Sequence, residues 1–197
     1  TKAVFDKKYG SKLYDVGNKN VTTQVRSTYP LWLEQELRSN HAGEVGAVWI
    51  YQGILAARPT PAIRRFCQSH LATERRHLAE LSDLLSYKDR SLLLPLWRVA
   101  GFLTGFLPGC LNERAVYLTI AAVETFVQQH YQRQIKNEGL QTYPNIKKVL
   151  ISCMEDEVMH KNEAAELASS PARGIAAGWC KLIGIGSRMA VNLAKTL

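Results

Sequence analysis

From Leu31 to the end of the chain, apolar residues recur at alternating steps of three and four. That is the period of α-helices with one buried side. Breakers cut the pattern into segments. Arg58-Pro59-Thr60-Pro61 separates a helix over 31–57 from one over 61–86. Glu138-Gly139 and Ser169-Ser170-Pro171 end helices over 112–138 and 144–168, and a last helix covers 172–195. No stretch alternates apolar and polar long enough for a strand, so the expected fold class is all-α. Residues 1–29 lack this periodicity; they read as a polar, Lys-rich arm without a signal-peptide pattern. Residues 30–197 read as one helical domain.

Two segments differ in kind. Residues 92–111 are nearly all apolar, with Arg98 the one charge. Their length would permit a membrane span. Pro95, Gly101, Gly105, Pro108, Gly109 and the internal arginine instead favour a helix over 91–111 lying in a membrane interface. The last helix carries Arg173, Lys181, Arg188 and Lys195 at near-heptad spacing, with no acid after Pro171. It is the second expected interface helix, 172–195; a solvated cationic face on a packing helix is the competing reading.

The buried sides of two helices carry charge where leucine belongs. Along 61–86 the stripe reads Ile63, Cys67, His70, Glu74, His77, Leu81, Leu84. Along 144–168 it reads Ile146, Leu150, Cys153, Glu157, His160, Ala164, Leu167. Both become Glu-x-x-His at their centres. The other two long helices each place one Glu on the stripe, with a Tyr seven residues later: Glu44 with Tyr51, and Glu124 with Tyr131. An unpaired buried carboxylate costs several kcal/mol, so a core does not accept four of them without compensation. A metal supplies it. Four Glu and two His from four helices is the ligand set of carboxylate-bridged di-iron and di-manganese bundles. Carboxylate and imidazole without thiolate favour iron or manganese over zinc or copper. Asp156 is placed to accept from a ligating histidine, His77 being the best candidate. His130 and Tyr131 adjoin the same face, and His70 lies a turn from Glu74. His41, three residues before Glu44, would give the pair in the wrong order and add an extra nitrogen, and Cys67 and Cys153 read as small core residues, not ligands.

Several motifs resemble one family. Asn40-His41-Ala42-Gly43-Glu44-Val45-Gly46-Ala47, followed by Ile50-Tyr51-Gln52-Gly53, is similar to the opening motif of the demethoxyubiquinone hydroxylases, the Coq7 or Clk-1 proteins. Leu96-Trp97-Arg98-Val99-Ala100-Gly101-Phe102, Ala122-Val123-Glu124-Thr125, His130-Tyr131, Asp156-Glu157-Val158-Met159-His160 and Gly186-Ser187-Arg188 match as well. Ile54 departs from the family's usual Gln, and the arm has no assigned counterpart. The resemblance implies a ferritin-like four-helix bundle with two additional helices, acting as a di-iron monooxygenase. Such an enzyme hydroxylates the ring of a demethoxyubiquinol in ubiquinone biosynthesis. It implies two Fe ions per chain held by Glu44, Glu74, His77, Glu124, Glu157 and His160, with O2 as co-substrate. An external electron donor is needed, NADH in some members. No glycine-rich fingerprint follows a strand here, so a Rossmann site is excluded. Tyr51, His130 and Tyr131 are expected to serve proton or electron delivery.

Composition then sharpens the setting. The net charge of +8 divides into +4 in the arm and +4 after Pro171, leaving residues 30–171 neutral. Cations that border apolar segments point to a phospholipid surface, not to nucleic acid. The expected location is peripheral membrane: the cytoplasmic face of a bacterial membrane or the matrix face of the mitochondrial inner membrane. A homo-oligomer and an accessory protein of ubiquinone biosynthesis are the further partners considered. Rival functions are ferritin- or rubrerythrin-like iron or peroxide handling, a lipid-carrier subunit and a tRNA-modifying di-iron hydroxylase. Rubrerythrin's CxxC iron site is absent, and a carrier has no use for inward Glu-x-x-His pairs.

Overall fold

The computed structural model describes residues 29–197, so the basic arm lies outside the described residues apart from Tyr29. Six α-helices account for the rest: α1 (Leu31–Ala56), α2 (Pro61–Leu84), α3 (Leu94–Gly109), α4 (Glu113–Ile135), α5 (Pro144–Leu167) and α6 (Ile175–Thr196). Short 3-10 turns at Tyr87–Asp89 and Glu138–Thr142 complete them. Among the described residues there is no strand.

Local chemistry sets the turns. Arg58 adopts the left-handed region at φ 56° and ends α1. Thr60 then caps α2, its Oγ1 accepting from the Ile63 N–H at 3.4 Å, and Pro61 occupies a first-turn position where no N–H is required. Asn112 caps α4 by accepting from the Ala115 N–H at 2.9 Å. Short connections make α1–α2 and α4–α5 antiparallel hairpins, and the long crossover through α3 joins them. This is the ferritin-like arrangement. α2 packs on α5, whereas α1 and α4 stand further apart across a cavity covered by α3 and α6.

Two apolar layers bracket the polar centre. Leu33, Leu37, Leu81, Ile146 and Leu150 fill one end; Ile54, Ile63, Phe66, Tyr117 and Ile120 fill the other. Full burial of each such side chain stabilises by about 1.5–3 kcal/mol. The stripes hold as expected up to their last step. There Leu85 and Ala168 are buried in place of Leu84 and Leu167. A straight helix turns every 3.6 residues, so a strict heptad walk drifts off the buried side by its second repeat.

α3 lies against α1 through glycine. A Cβ at Gly105 would sit 1.9 Å from the Ile50 carbonyl oxygen, and one at Gly101 2.4 Å from that of Gly46. The outer side of α3 leaves Leu96, Val99, Leu103 and Leu107 exposed. Among the described residues no helix is long and apolar enough to cross a membrane. The cationic face expected on the last helix is corrected in two places. Arg173 precedes α6, and Lys195 turns inward to pair with Glu36 of α1. Arg38 donates to the Lys195 carbonyl at 3.2 Å and the Leu92 N–H to that of Leu197 at 2.7 Å, so the end of α6 is fastened to α1 and the crossover.

Candidate metal centre

Glu44 from α1, Glu74 and His77 from α2, Glu124 from α4, and Glu157 and His160 from α5 converge midway between the two apolar layers. None is more than 6% exposed. They form two overlapping groups, Glu44–Glu74–His77–Glu157 and Glu74–Glu124–Glu157–His160, with one donor atom per residue and all within 4.8 Å of one another. Glu74 and Glu157 belong to both. His77 Nδ1 lies 3.2 Å from Glu157 Oε1, and His160 Nδ1 lies 3.1 Å from Glu74 Oε1. Yet both Nδ1 atoms, both Glu74 oxygens and Glu157 Oε2 are buried without a well-aligned hydrogen-bond partner. Orphaned donors and acceptors of this kind are rare in native interiors. Atoms that face one another at this spacing fit a metal site.

Outer contacts orient the six. His77 Nε2 is 3.0 Å from Asp156 Oδ2, which also pairs with Arg76, so Nδ1 faces the cluster. The tyrosines cross over: Tyr51 of α1 donates to Glu124 of α4 at 3.2 Å, and Tyr131 of α4 donates to Glu44 of α1 at 2.6 Å. Each hairpin thus fixes a carboxylate of the other. His70 stacks on His160 with ring centroids 4.0 Å apart.

The protonation pattern follows from burying four carboxylates together. Burial, reinforced by repulsion from Glu157, drives Glu74 and Glu124 well above the usual carboxylate range. Glu157 is raised by burial despite its bond with His77. Burial would also raise Glu44, but bonds with His77 and Tyr131 carry it below its ordinary value. His77, opposed by burial, is raised to about 11 by Glu157 and Glu44. Burial lowers His160, and it takes His41, His70 and His130 to about 4.

A metal-removal experiment checks this pattern. A group whose value is raised on folding binds its proton more tightly folded than unfolded, so it loses stability as pH climbs past the unfolded value. For His77 that window runs from 6.5 to about 11, and the raised carboxyls slope the same way from 4.5 upward. The opposite slope of His41, His70 and His130 is confined between about 4 and 6.5. The melting temperature of the metal-free chain is therefore expected to fall as pH rises above 6.5. Metal, by displacing the protons, should flatten the profile. A metal-free profile that is level or rising in that window would contradict the assignment.

A cavity of about 340 Å3 adjoins the cluster, with Glu44, Glu124, Glu157 and Tyr131 at its inner end and apolar walls from α1, α3, α4 and α6. His130 lines it and sits in a buried amide network: its Nε2 is 3.0 Å from Asn40 Oδ1, and Gln134 Nε2 donates to that same oxygen at 2.9 Å. Sequence reasoning did not find the roles of Gln134 or Glu163, because nothing along α4 or α5 signals which residue of another helix they meet. His41 is buried with Nδ1 unpartnered. Cys67 and Cys153 are fully buried, and burial raises both thiols.

An antiparallel helical bundle with two Glu-x-x-His helices, two single-Glu helices and a long crossover defines the chain as a ferritin-like protein of the carboxylate–histidine type. Comparison with known families narrows this: the family described as "Ubiquinone biosynthesis protein COQ7" matches residues 31–194, and the chain belongs to it. A Dictyostelium discoideum protein named "NADPH-dependent 3-demethoxyubiquinone 3-hydroxylase, mitochondrial" is 28% identical over 94% of this chain and 90% of its own length. The mouse protein of that name is 30% identical, covering 79% of this chain and 77% of its own length. The "3-demethoxyubiquinol 3-hydroxylase" of Rhodospirillum rubrum is 34% identical, over 66% of this chain and 62% of its own. The mitochondrial relatives' names specify NADPH as their donor, a point the sequence left open.

Proposed function

We propose that this protein is a di-iron monooxygenase that hydroxylates the ring of a demethoxyubiquinol in ubiquinone biosynthesis. The observation that carries the reading is the joining of a doubly shared carboxylate–imidazole cluster to an apolar cavity. Storage of iron needs the first and has no use for the second.

Glu44, Glu74, His77, Glu124, Glu157 and His160 would hold two iron ions, which when bound supply the reduction of dioxygen. The chain does the rest. Asp156 holds the His77 ring in one tautomer, and the crossed tyrosines set the angle of the Glu44 and Glu124 carboxylates. The apolar cavity walls hold the quinol ring against the inner carboxylates and exclude water. His130, fixed by Asn40 and Gln134, offers a polar contact for a ring oxygen. A dihydronicotinamide, the donor class in the mitochondrial relatives' names, supplies the electrons.

The prenyl tail gives the setting. Leu96, Val99 and Leu103 of α3, with Leu182, Ile185 and Met189 of α6, leave apolar surface exposed on the two helices that cover the cavity. These helices rest on a membrane surface and admit the tail from lipid. Lys181 and Arg188, both exposed on α6, face the headgroups, and the names of the mitochondrial relatives support that organelle for a eukaryotic protein of this kind. The domain is residues 30–197, with the arm as an additional anchor.

Metal analysis with Mössbauer spectra, followed by product analysis with a demethoxyubiquinol, tests the proposal. Two irons per chain and a ring-hydroxylated product are expected. Iron taken up beyond two per chain, with no hydroxylated product, would favour storage.

A further inference from the structure

Four side chains, one from each bundle helix, make an unbroken line from the surface to the cluster. Glu163 of α5 is 55% exposed, and its Oε2 is 2.8 Å from Nε2 of the buried His70 on α2. His70 Nδ1 is 3.1 Å from the Tyr51 hydroxyl on α1, which reaches Glu124 Oε1 on α4 at 3.2 Å. We infer that Glu163, His70 and Tyr51 are a proton path feeding Glu124 from water, on the α2–α5 side of the bundle.

Counting hydrogens supports the inference. Three hydrogen bonds join these four groups, and a neutral imidazole and a neutral phenol hold one mobile hydrogen each. With the third hydrogen on Glu163, each bond points inward: Glu163 donates to Nε2, Nδ1–H to the Tyr51 oxygen, and Tyr51 O–H to Glu124. Shifting each hydrogen across its own bond leaves Glu163 ionised, His70 in its other tautomer, Tyr51 neutral and Glu124 protonated. Each bond now points outward. The two arrangements differ by one proton carried from solvent to the cluster, and no charge rests on His70 or Tyr51 in either.

Glu163, His70 and Tyr51 line no part of the substrate cavity; the path meets it only at Glu124. The cavity is walled by α1, α3, α4 and α6, and no residue of α2 lines it. The tyrosine on the other half of the cluster has a different neighbour. The Tyr131 hydroxyl on Glu44 abuts the thiol of Cys153, which occupies the stripe position matching His70 and is fully buried.

This inference rests on the hydroxylase reading for its purpose. Hydroxylating one ring C–H consumes one O2, two electrons and two protons, and gives one hydroxyl and one water. A dihydronicotinamide donor provides both electrons and one proton, so the second must come from water.

The test uses the iron-loaded protein with Glu163→Gln and Glu163→Ala, changes at an exposed position that should leave iron content and melting unchanged. Hydroxylation is expected to fall about tenfold in both, with peroxide released in place of product. Acetate should restore much of the rate in Glu163→Ala, where it can take the vacated place, and none in Glu163→Gln. In the metal-free chain, 15N spectra should give tautomer-averaged His70 nitrogens for wild type and a single tautomer for Glu163→Ala. Wild-type rate and coupling in Glu163→Gln, or a loss in Glu163→Ala that acetate leaves untouched, would overturn the path. If the wild-type chain itself makes no hydroxylated quinol, the hydroxylase reading fails, and the spectra alone then decide the path: one tautomer in wild type overturns it.

Discussion

Glu74→Gln is expected to give a protein that folds better without metal than the wild type does, yet holds no pair of irons. Both carboxylate oxygens of Glu74 are buried and lack hydrogen-bond partners, and burial together with three neighbouring carboxylates holds the group far above its ordinary value. Above neutral pH its charge is a cost that only a cation offsets. The amide keeps the volume and removes the charge, so metal-free Glu74→Gln should be more stable than the metal-free wild type at alkaline pH. The same change strips a residue shared by both metal groups. Metal affinity should drop by more than about a hundredfold, beyond the usual loss from altering an outer contact alone. Glu157→Ala should likewise lose iron and hydroxylation, though with a cavity that lowers stability instead. Calorimetry at alkaline pH and iron content per chain check both halves. A Glu157→Ala protein with two irons per chain and full activity would sink the assignment.

The second large effect falls far from the metals. Gly101→Ala/Gly105→Ala should melt roughly 10 °C lower than the wild type. Each added methyl would meet a backbone carbonyl of α1, at 2.4 Å for Gly101 and 1.9 Å for Gly105. A carbonyl in a helix cannot rotate aside as a side chain can, so α3 must move outward as a body. Overpacking of this kind costs about 1–3 kcal/mol per site, and about 2–4 °C accompanies each kcal/mol in a chain of this length. Because Trp97, Ala100 and Thr104 of α3 wall the cavity, the shift should also raise KM for a prenylated quinol more than it lowers kcat. Gly178→Ala on α6 is the control. Nothing lies within 4 Å of its added Cβ, and helix propensity predicts a gain of about 0.5–1 kcal/mol.

What the sequence could tell depended on whether the information lay along one helix or between two. The Glu-x-x-His stripes lie along single helices, so their periodicity alone aligned Glu74 with His77 and Glu157 with His160. Glu44 and Glu124 followed from the same phase. The glycines of α3 did not reveal their contact with α1 by this route. Gly101 and Gly105 looked like interruptions favouring an interfacial helix, and they are the contact through which α3 seats on α1. Lys195 looked solvated until α1 supplied Glu36. The path through His70 was hidden for the same reason. Its members are 19, 73 and 93 residues apart in pairs, and no one-dimensional pattern links them.

The crossed tyrosines make the two hairpins reciprocal. Each hairpin lends its phenol to the other's glutamate, and each metal group draws on α2 and α5 together. Neither hairpin alone could hold a complete ion. Two copies of one hairpin, related by a twofold axis through the cluster, would offer both groups. The reciprocal contacts are those of an isologous pair, with α3 in the crossover that joins its two halves.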